Sequence, residues 1–307
     1  LTPSKESAGY WLRLFGPFLI CFALGLPGLL IATHVLAVPA VTAAIALGVT
    51  IVAAAFMLGW VGEAAELDLA GGLAVGLLAV VTILPEYVVS VYFAFAAGTD
   101  PSMVQYASAN VTGANRLLLG FGWPAVALIG YFVARSKAGS AKSGKTDSAK
   151  FGITLDDESR TDLGFLVIAS LIAILIPLTG SLHLITGVAL VMLFGFYLWR
   201  QSHADREEPE LEGTAAMVGA LPKWARRTFI ILVFLLAAAM ILVAAEPFAH
   251  SLIEAGHDLG VNQYLLVQWL APLASEAPEF ALALIFAAKG KANMGLAILV
   301  SSKVNQW

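Results

Sequence analysis

Charge is what this chain has least of. Only 12% of its 307 residues are Asp, Glu, Lys or Arg, against 59% hydrophobic ones. The mean hydropathy is +0.85. A water-soluble domain of this length could not hide so much apolar surface, so its solvent is largely lipid. The formal net charge of -4 is too small to point to nucleic acid. The single cysteine, Cys21, excludes a disulfide framework and a thiolate metal site. No Walker-type loop supports ATP-driven transport, and no nucleophile–base pair supports an intramembrane enzyme. We therefore expect neither an enzyme nor a cofactor.

What is present is a succession of apolar runs. A spanning helix needs roughly 20 apolar residues. Nine runs qualify: 14–35, 38–60, 69–97, 102–134, 163–178, 182–199, 228–250, 261–288 and 292–307. The predicted fold class is an all-α membrane protein with about nine transmembrane helices. The ninth run is still apolar at Trp307, which predicts a chain cut at its C-terminus inside a span. The predicted organisation is an N-terminal membrane half (1–134), a cytoplasmic loop (135–160), a helical hairpin (161–200), a second loop (201–227) and a C-terminal membrane half (228–307).

Charge placement orients the chain. With the N-terminus inside, both long loops face the cytoplasm, as do Lys5, Arg13, Lys289 and Lys291. Of the 17 Lys and Arg residues, only Arg116 and Lys303 fall elsewhere, within spans. This is the positive-inside pattern. It predicts a multi-pass protein of a bacterial inner or plasma membrane with a cytoplasmic N-terminus. Glu63, Glu66 and Asp68 read as a solvated turn.

An internal repeat then stands out. Val81-Thr82-Ile83-Leu84-Pro85-Glu86-Tyr87 aligns with Ala274-Ser275-Glu276-Ala277-Pro278-Glu279-Phe280. Each copy has a hydroxyl residue three positions before the proline, then Pro-Glu, then an aromatic. The next span of each copy carries polar residues: Ser108, Asn110, Thr112, Gly113 and Asn115 in one, Ser301, Ser302, Lys303, Asn305 and Gln306 in the other. The copies cover about 69–134 and 261–307. Five spans separate their starts, and an odd number makes them enter from opposite faces. That predicts an inverted-topology repeat, an architecture of alternating-access transporters.

The residue types suit a hard cation. A carboxylate at mid-membrane costs at least about 2.5 kcal/mol, so Glu86 and Glu279 need a partner. Proline breaks the helix locally and frees carbonyl oxygens, and Thr82 or Ser275 adds a hydroxyl. Carboxylate, carbonyl and hydroxyl oxygens suit Ca²⁺ or Na⁺. Asn110 supplies a neutral oxygen, and Gly113 with its polar neighbours predicts a kink within 109–115.

These motifs resemble the alpha-repeats of the calcium/cation antiporter superfamily, which includes sodium/calcium and calcium/proton exchangers. The matching residues are Thr82-Ile83-Leu84-Pro85-Glu86 with Ala109-Asn110-Val111-Thr112-Gly113-Ala114-Asn115, and Ser275-Glu276-Ala277-Pro278-Glu279 with Ser302-Lys303-Val304-Asn305. The resemblance implies a sodium/calcium exchanger-like fold and a cation site of Glu86, Glu279 and Asn110, with Thr82 and Ser275 lending oxygens. It implies Ca²⁺ moving against Na⁺ or H⁺, with inorganic cations and the bilayer as partners.

The second copy departs from the pattern. Lys303 stands where the family has a cation ligand, and Glu276 stands where it has Ser. Either Glu276 and Lys303 form an ion pair, or Lys303 is a fixed internal countercation. Arg116, beside Asn115, adds positive charge. Two rivals therefore stand beside calcium exchange: exchange of Na⁺/H⁺ or another monovalent cation, and a non-transporting sensor or scaffold whose site Lys303 plugs.

Overall fold

The computed structural model describes residues 8–68, 84–140, 157–181, 183–201 and 211–304. Among these residues every regular element is helical. In chain order they are α1 (Ala8–Ala32), α2 (Ala40–Ala65), α3 (Leu84–Ala97), a 3₁₀ turn (Pro101–Met103), α4 (Val104–Leu117), a π turn (Leu118–Gly122) and α5 (Trp123–Ser140). There follow α6 (Asp157–Ala173), α7 (Leu175–Thr179), α8 (Leu184–Gln201), α9 (Gly213–Gly219), α10 (Lys223–Leu259), α11 (Gln263–Ser275), α12 (Ala277–Ala288) and α13 (Ala292–Val304). The chain forms two compact units. One comprises Leu1–Ala114 with Gln201–Pro278, the other Asn115–Arg200 with Glu279–Trp307.

In the first unit α2 and α10 pack along much of their length. The reason is small residues: Ala43, Ala44 and Ala54 of α2 and Ala237, Ala244, Ala245 and Ala249 of α10 are all buried. Lipid offers no hydrophobic drive between helices, so close approach through small side chains supplies the attraction. The N-terminal α1 joins α2 in the same way. Thr50 is fully buried and its hydroxyl donates to the Gly25 carbonyl at 2.8 Å. A methyl group on Gly28 would fall 2.1 Å from that hydroxyl oxygen. After Ala32, His34 takes the left-handed conformation at φ 59, and Val35 N–H caps the Leu30 carbonyl at 2.9 Å. This αL cap ends α1.

In the second unit the core is Leu118, Val126, Ala283, Ala287, Ala292 and Leu299. A satellite cluster holds Phe165, Leu166 and Tyr197, and Trp123 borders both. The hairpin of α12 and α13 closes tightly because Gly295 lies over the Ala283 carbonyl; a methyl there would come within 2.5 Å of it.

Five helical segments are long and apolar enough to cross a membrane, and the bent pair α11–α12 makes a sixth. They account for the predicted spans 14–35, 38–60, 102–134, 163–178, 228–250 and 261–288. The spans at 182–199, 69–97 and 292–307 correspond to shorter helices, the last two reaching outside the described residues. Residues 69–83, with Thr82, lie outside them too.

Several boundaries differ from expectation. The span at 228–250 is one 37-residue helix from Lys223 to Leu259, roughly 55 Å long at helical rise. Its polar ends belong to the helix, so the hydropathy window saw only its middle. The loop at 201–227 contains the short helix α9, which packs on α2. The kink expected within 109–115 is absent, because α4 continues through Leu117. The irregularity comes one turn later, as the π turn at Leu118–Gly122. Asp68 is not a solvated residue: its side chain is 7% exposed and meets Arg226 Nε at 2.6 Å and Arg227 Nε at 3.2 Å.

Candidate cation site

In the first unit α3 carries Glu86, which is 5% exposed and follows the buried Pro85. Ser90 stands one helical turn further, on the same face. Asn110 of α4, fully buried, donates its Nδ2 to the Ser90 hydroxyl at 2.8 Å. That bond uses the amide nitrogen and leaves Oδ1 as the free acceptor. Among the described residues this buried oxygen accepts no hydrogen bond. The fold therefore brings Asn110 to the helix of Glu86 and leaves its amide oxygen as an open acceptor.

The second copy is built round a break. α11 ends at Ser275, Glu276 stands alone in a near-bridge conformation at φ -91 and ψ -2, and α12 begins at Ala277. Two prolines explain it. Pro272 removes the donor for the Gln268 carbonyl, and Pro278 removes the donor for that of Ala274. Ser275 is 5% exposed and Glu276 3%. The Ser275 hydroxyl donates back to the carbonyls of Ala271 at 3.3 Å and Pro272 at 3.2 Å, which leaves its lone pairs to accept. Pro278 lies near Gly59 of α2, where a methyl group would meet its Cβ at 3.7 Å.

In the second unit Glu279 is half-buried in the first turn of α12, where the positive end of the helix dipole favours a carboxylate. Lys303, in the last turn of α13, is fully buried. Asn115 is half-buried, and Arg116 is exposed, so the guanidinium is not among the buried charges. The π turn packs beside this region. Gly122 faces Phe280, the residue after Glu279, and Leu299, one turn before Lys303. Widened turns of this kind recur at functional sites.

Two residues escaped the sequence reading. Ser90 carried a weak signal, its spacing of four from Glu86. Gln268 carried a similar one, its spacing of four before Pro272. Gln268 is 1% exposed, and its Nε2 donates to the hydroxyls of Thr112 and Tyr264, each at 3.2 Å. Among the described residues no group of three or more His, Cys, Asp and Glu is placed to hold a metal ion.

A buried carboxylate beside a proline thus stands with an amide and hydroxyls as neutral oxygens, in a chain whose described regular elements are all helical and include several long and apolar enough to cross a membrane. The chain belongs to the sodium/calcium exchanger protein family, whose model matches residues 38–202 and 229–307. Among solved structures it is similar to an H⁺/Ca²⁺ exchanger, CAX, at 35% identity and a TM-score of 0.84, over 94% of this chain and 70% of that one. It shares a fold with YfkE in its native form at 20% identity and a TM-score of 0.60, over 94% of this chain and 78% of that one. A selenium-substituted form of YfkE, described as a Ca²⁺/H⁺ antiporter, gives 18% identity, the same TM-score and the same coverage. No curated protein matches.

Proposed function

We propose that the chain is a secondary cation antiporter that exchanges Ca²⁺ for H⁺, with Glu86 and Glu279 as the carboxylates that bear the ion. The observation that carries this reading is Glu86. It is a 5% exposed carboxylate in an apolar span, on the face of α3 whose Ser90 fixes Asn110 as an oxygen acceptor. A carboxylate taken out of water is stabilised by a cation or a proton upon it. Competition of the two for one oxygen pair is antiport in its simplest form. Support for H⁺ over Na⁺ comes from the 35% identity to a structure described as an H⁺/Ca²⁺ exchanger. Ser275, and Thr82 by the symmetry of the repeat, add hydroxyl oxygens. The inverted repeat gives alternating access its two equivalent halves.

The complete burial of Lys303 favours a second reading. An ammonium in the repeat position of Asn110 carries a positive charge with which an arriving cation must compete. The exchanger then couples to monovalent ions, or is plugged.

Proteoliposomes distinguish these readings. Ca²⁺ uptake and internal pH are followed under imposed H⁺ and Na⁺ gradients for wild type, Glu86→Gln and Lys303→Asn. The Ca²⁺/H⁺ reading expects wild-type uptake coupled to alkali-directed proton flow and none in Glu86→Gln. Uptake driven only by Na⁺ overturns the choice of H⁺. Uptake that appears only in Lys303→Asn establishes the plugged reading, and absence of any cation flux from both overturns antiport.

A further inference from the structure

The α4–α11 crossing holds a set of oxygens that the Pro-Glu motifs do not account for. Gln268 lies halfway along α11 and is 1% exposed. Its backbone carbonyl has no helical donor, because the residue four positions on is Pro272. Its side-chain Nε2 is committed to Thr112 and Tyr264. That fixes Oε1 as an acceptor, and among the described residues this buried oxygen accepts no hydrogen bond. One residue thus presents two oxygens, one of them bare and the other deprived of its helical donor. An unsatisfied buried acceptor costs about 1–3 kcal/mol.

α4 is shaped to meet these oxygens. Gly113 faces the Gln268 carbonyl, where a side chain would fall 1.9 Å from the oxygen. Thr112 brings its hydroxyl to the Gln268 amide. Seven residues separate Gln268 from Ser275, two helical turns or roughly 10 Å, so both stand on one face of α11. Near the start of both helices Tyr106 donates to Gln263 at 2.6 Å, which shows that α4 and α11 begin at the same end of the unit. Gln268 therefore lies between that end and Ser275.

We infer that Gln268 is a binding station for the transported cation: its Oε1, with the Thr112 hydroxyl, receives a partly dehydrated hard cation on its way to or from Ser275. This rests on the antiport reading. A neutral oxygen set binds a cation less tightly than the carboxylates do, which suits a stop that must also release it. The station serves one face of the membrane, the face at which α4 and α11 begin.

The test is sided kinetics on the reconstituted full chain. Ca²⁺ is varied on one face at a time for wild type, Gln268→Leu and Gln268→Glu. In Gln268→Leu the half-saturating Ca²⁺ rises about tenfold, some 1.4 kcal/mol, at the face where α4 and α11 begin, and is unchanged at the other. Gln268→Glu, which keeps the oxygens and the length, restores or tightens it at the same face. Equal changes at both faces, a fall in maximal rate without a change in half-saturation, or no change at all would overturn the station. Should wild type carry no cation, antiport fails, and Ca²⁺-dependent protection of the purified chain against heat decides Gln268 alone. Protection lost in Gln268→Leu supports the station. Equal protection, or none in either protein, overturns it.

Discussion

Gly113 lies so close to the backbone of Gln268 that a methyl group upon it would stand 1.9 Å from the carbonyl oxygen and 3.0 Å from the Pro272 ring. The obstacle is backbone, which cannot rotate away as a side chain would. Gly113→Ala must therefore part α4 from α11 and disturb the Thr112–Gln268 bond. Overpacking of this kind costs about 1–3 kcal/mol and at times more. We expect the upper end of that range, read as a fall in thermal midpoint in detergent. A midpoint within a degree or so of wild type would show that the crossing is looser than described.

Glu86→Gln separates stability from function. The substitution keeps the shape and removes the charge. Since a buried carboxylate costs about 2.5 kcal/mol or more, the neutral variant should be at least as stable as wild type while losing all cation-coupled flux. A thermal midpoint well below wild type, with transport retained, would make Glu86 a structural carboxyl.

How far the sequence was legible depends on what each feature is made of. The apolar runs and the Pro-Glu pairs are local in sequence, and local patterns fix where helices break, as at Glu276. The extent of α10 was hidden, because the Lys and Arg at one end and His257 and Asp258 at the other read as loop although they continue the helix. Ser90 and Gln268 were missed for a different reason. A lone Ser or Gln in an apolar run is a weak signal until the fold supplies its partner, Asn110 in one case and Thr112 in the other. The kink expected within 109–115 was wrong, because Gly113 reads as a kink when it packs closely against α11, and the irregularity is the π turn one turn later.

Ser90→Ala tests the orientation of Asn110. Loss of the hydroxyl leaves the buried Nδ2 without its 2.8 Å acceptor. The stability cost should be about 1 kcal/mol. The larger effect should be on transport, because nothing then holds Oδ1 as the acceptor. Half-saturating Ca²⁺ is expected to rise severalfold, and Ser90→Thr, which keeps the hydroxyl, is expected to restore it. An equal loss in both variants would assign Ser90 to packing.

Asp68 and Arg226 give a prediction in pH. The Asp68 carboxylate accepts from Arg226 Nε at 2.6 Å and Arg227 Nε at 3.2 Å, and Arg226 also donates to the Gly219 carbonyl at 2.8 Å. This clamp ties the end of α2 to the start of α10. The hydrogen bond from Arg226, followed by the charges of both arginines, holds the carboxyl below its ordinary range although burial opposes this. Because the folded value lies below the unfolded one, near 3.9, the stabilisation is complete above about pH 4 and is lost as pH falls through the folded value. Asp68→Asn should cost about 2 kcal/mol at neutral pH, with most of the effect from Arg226, since the Arg227 side chain is 41% exposed and screened by solvent. Thermal midpoints of wild type and variant should converge as the pH is lowered below about 4. A gap that stays constant into acid would show that the clamp acts through shape and not through charge.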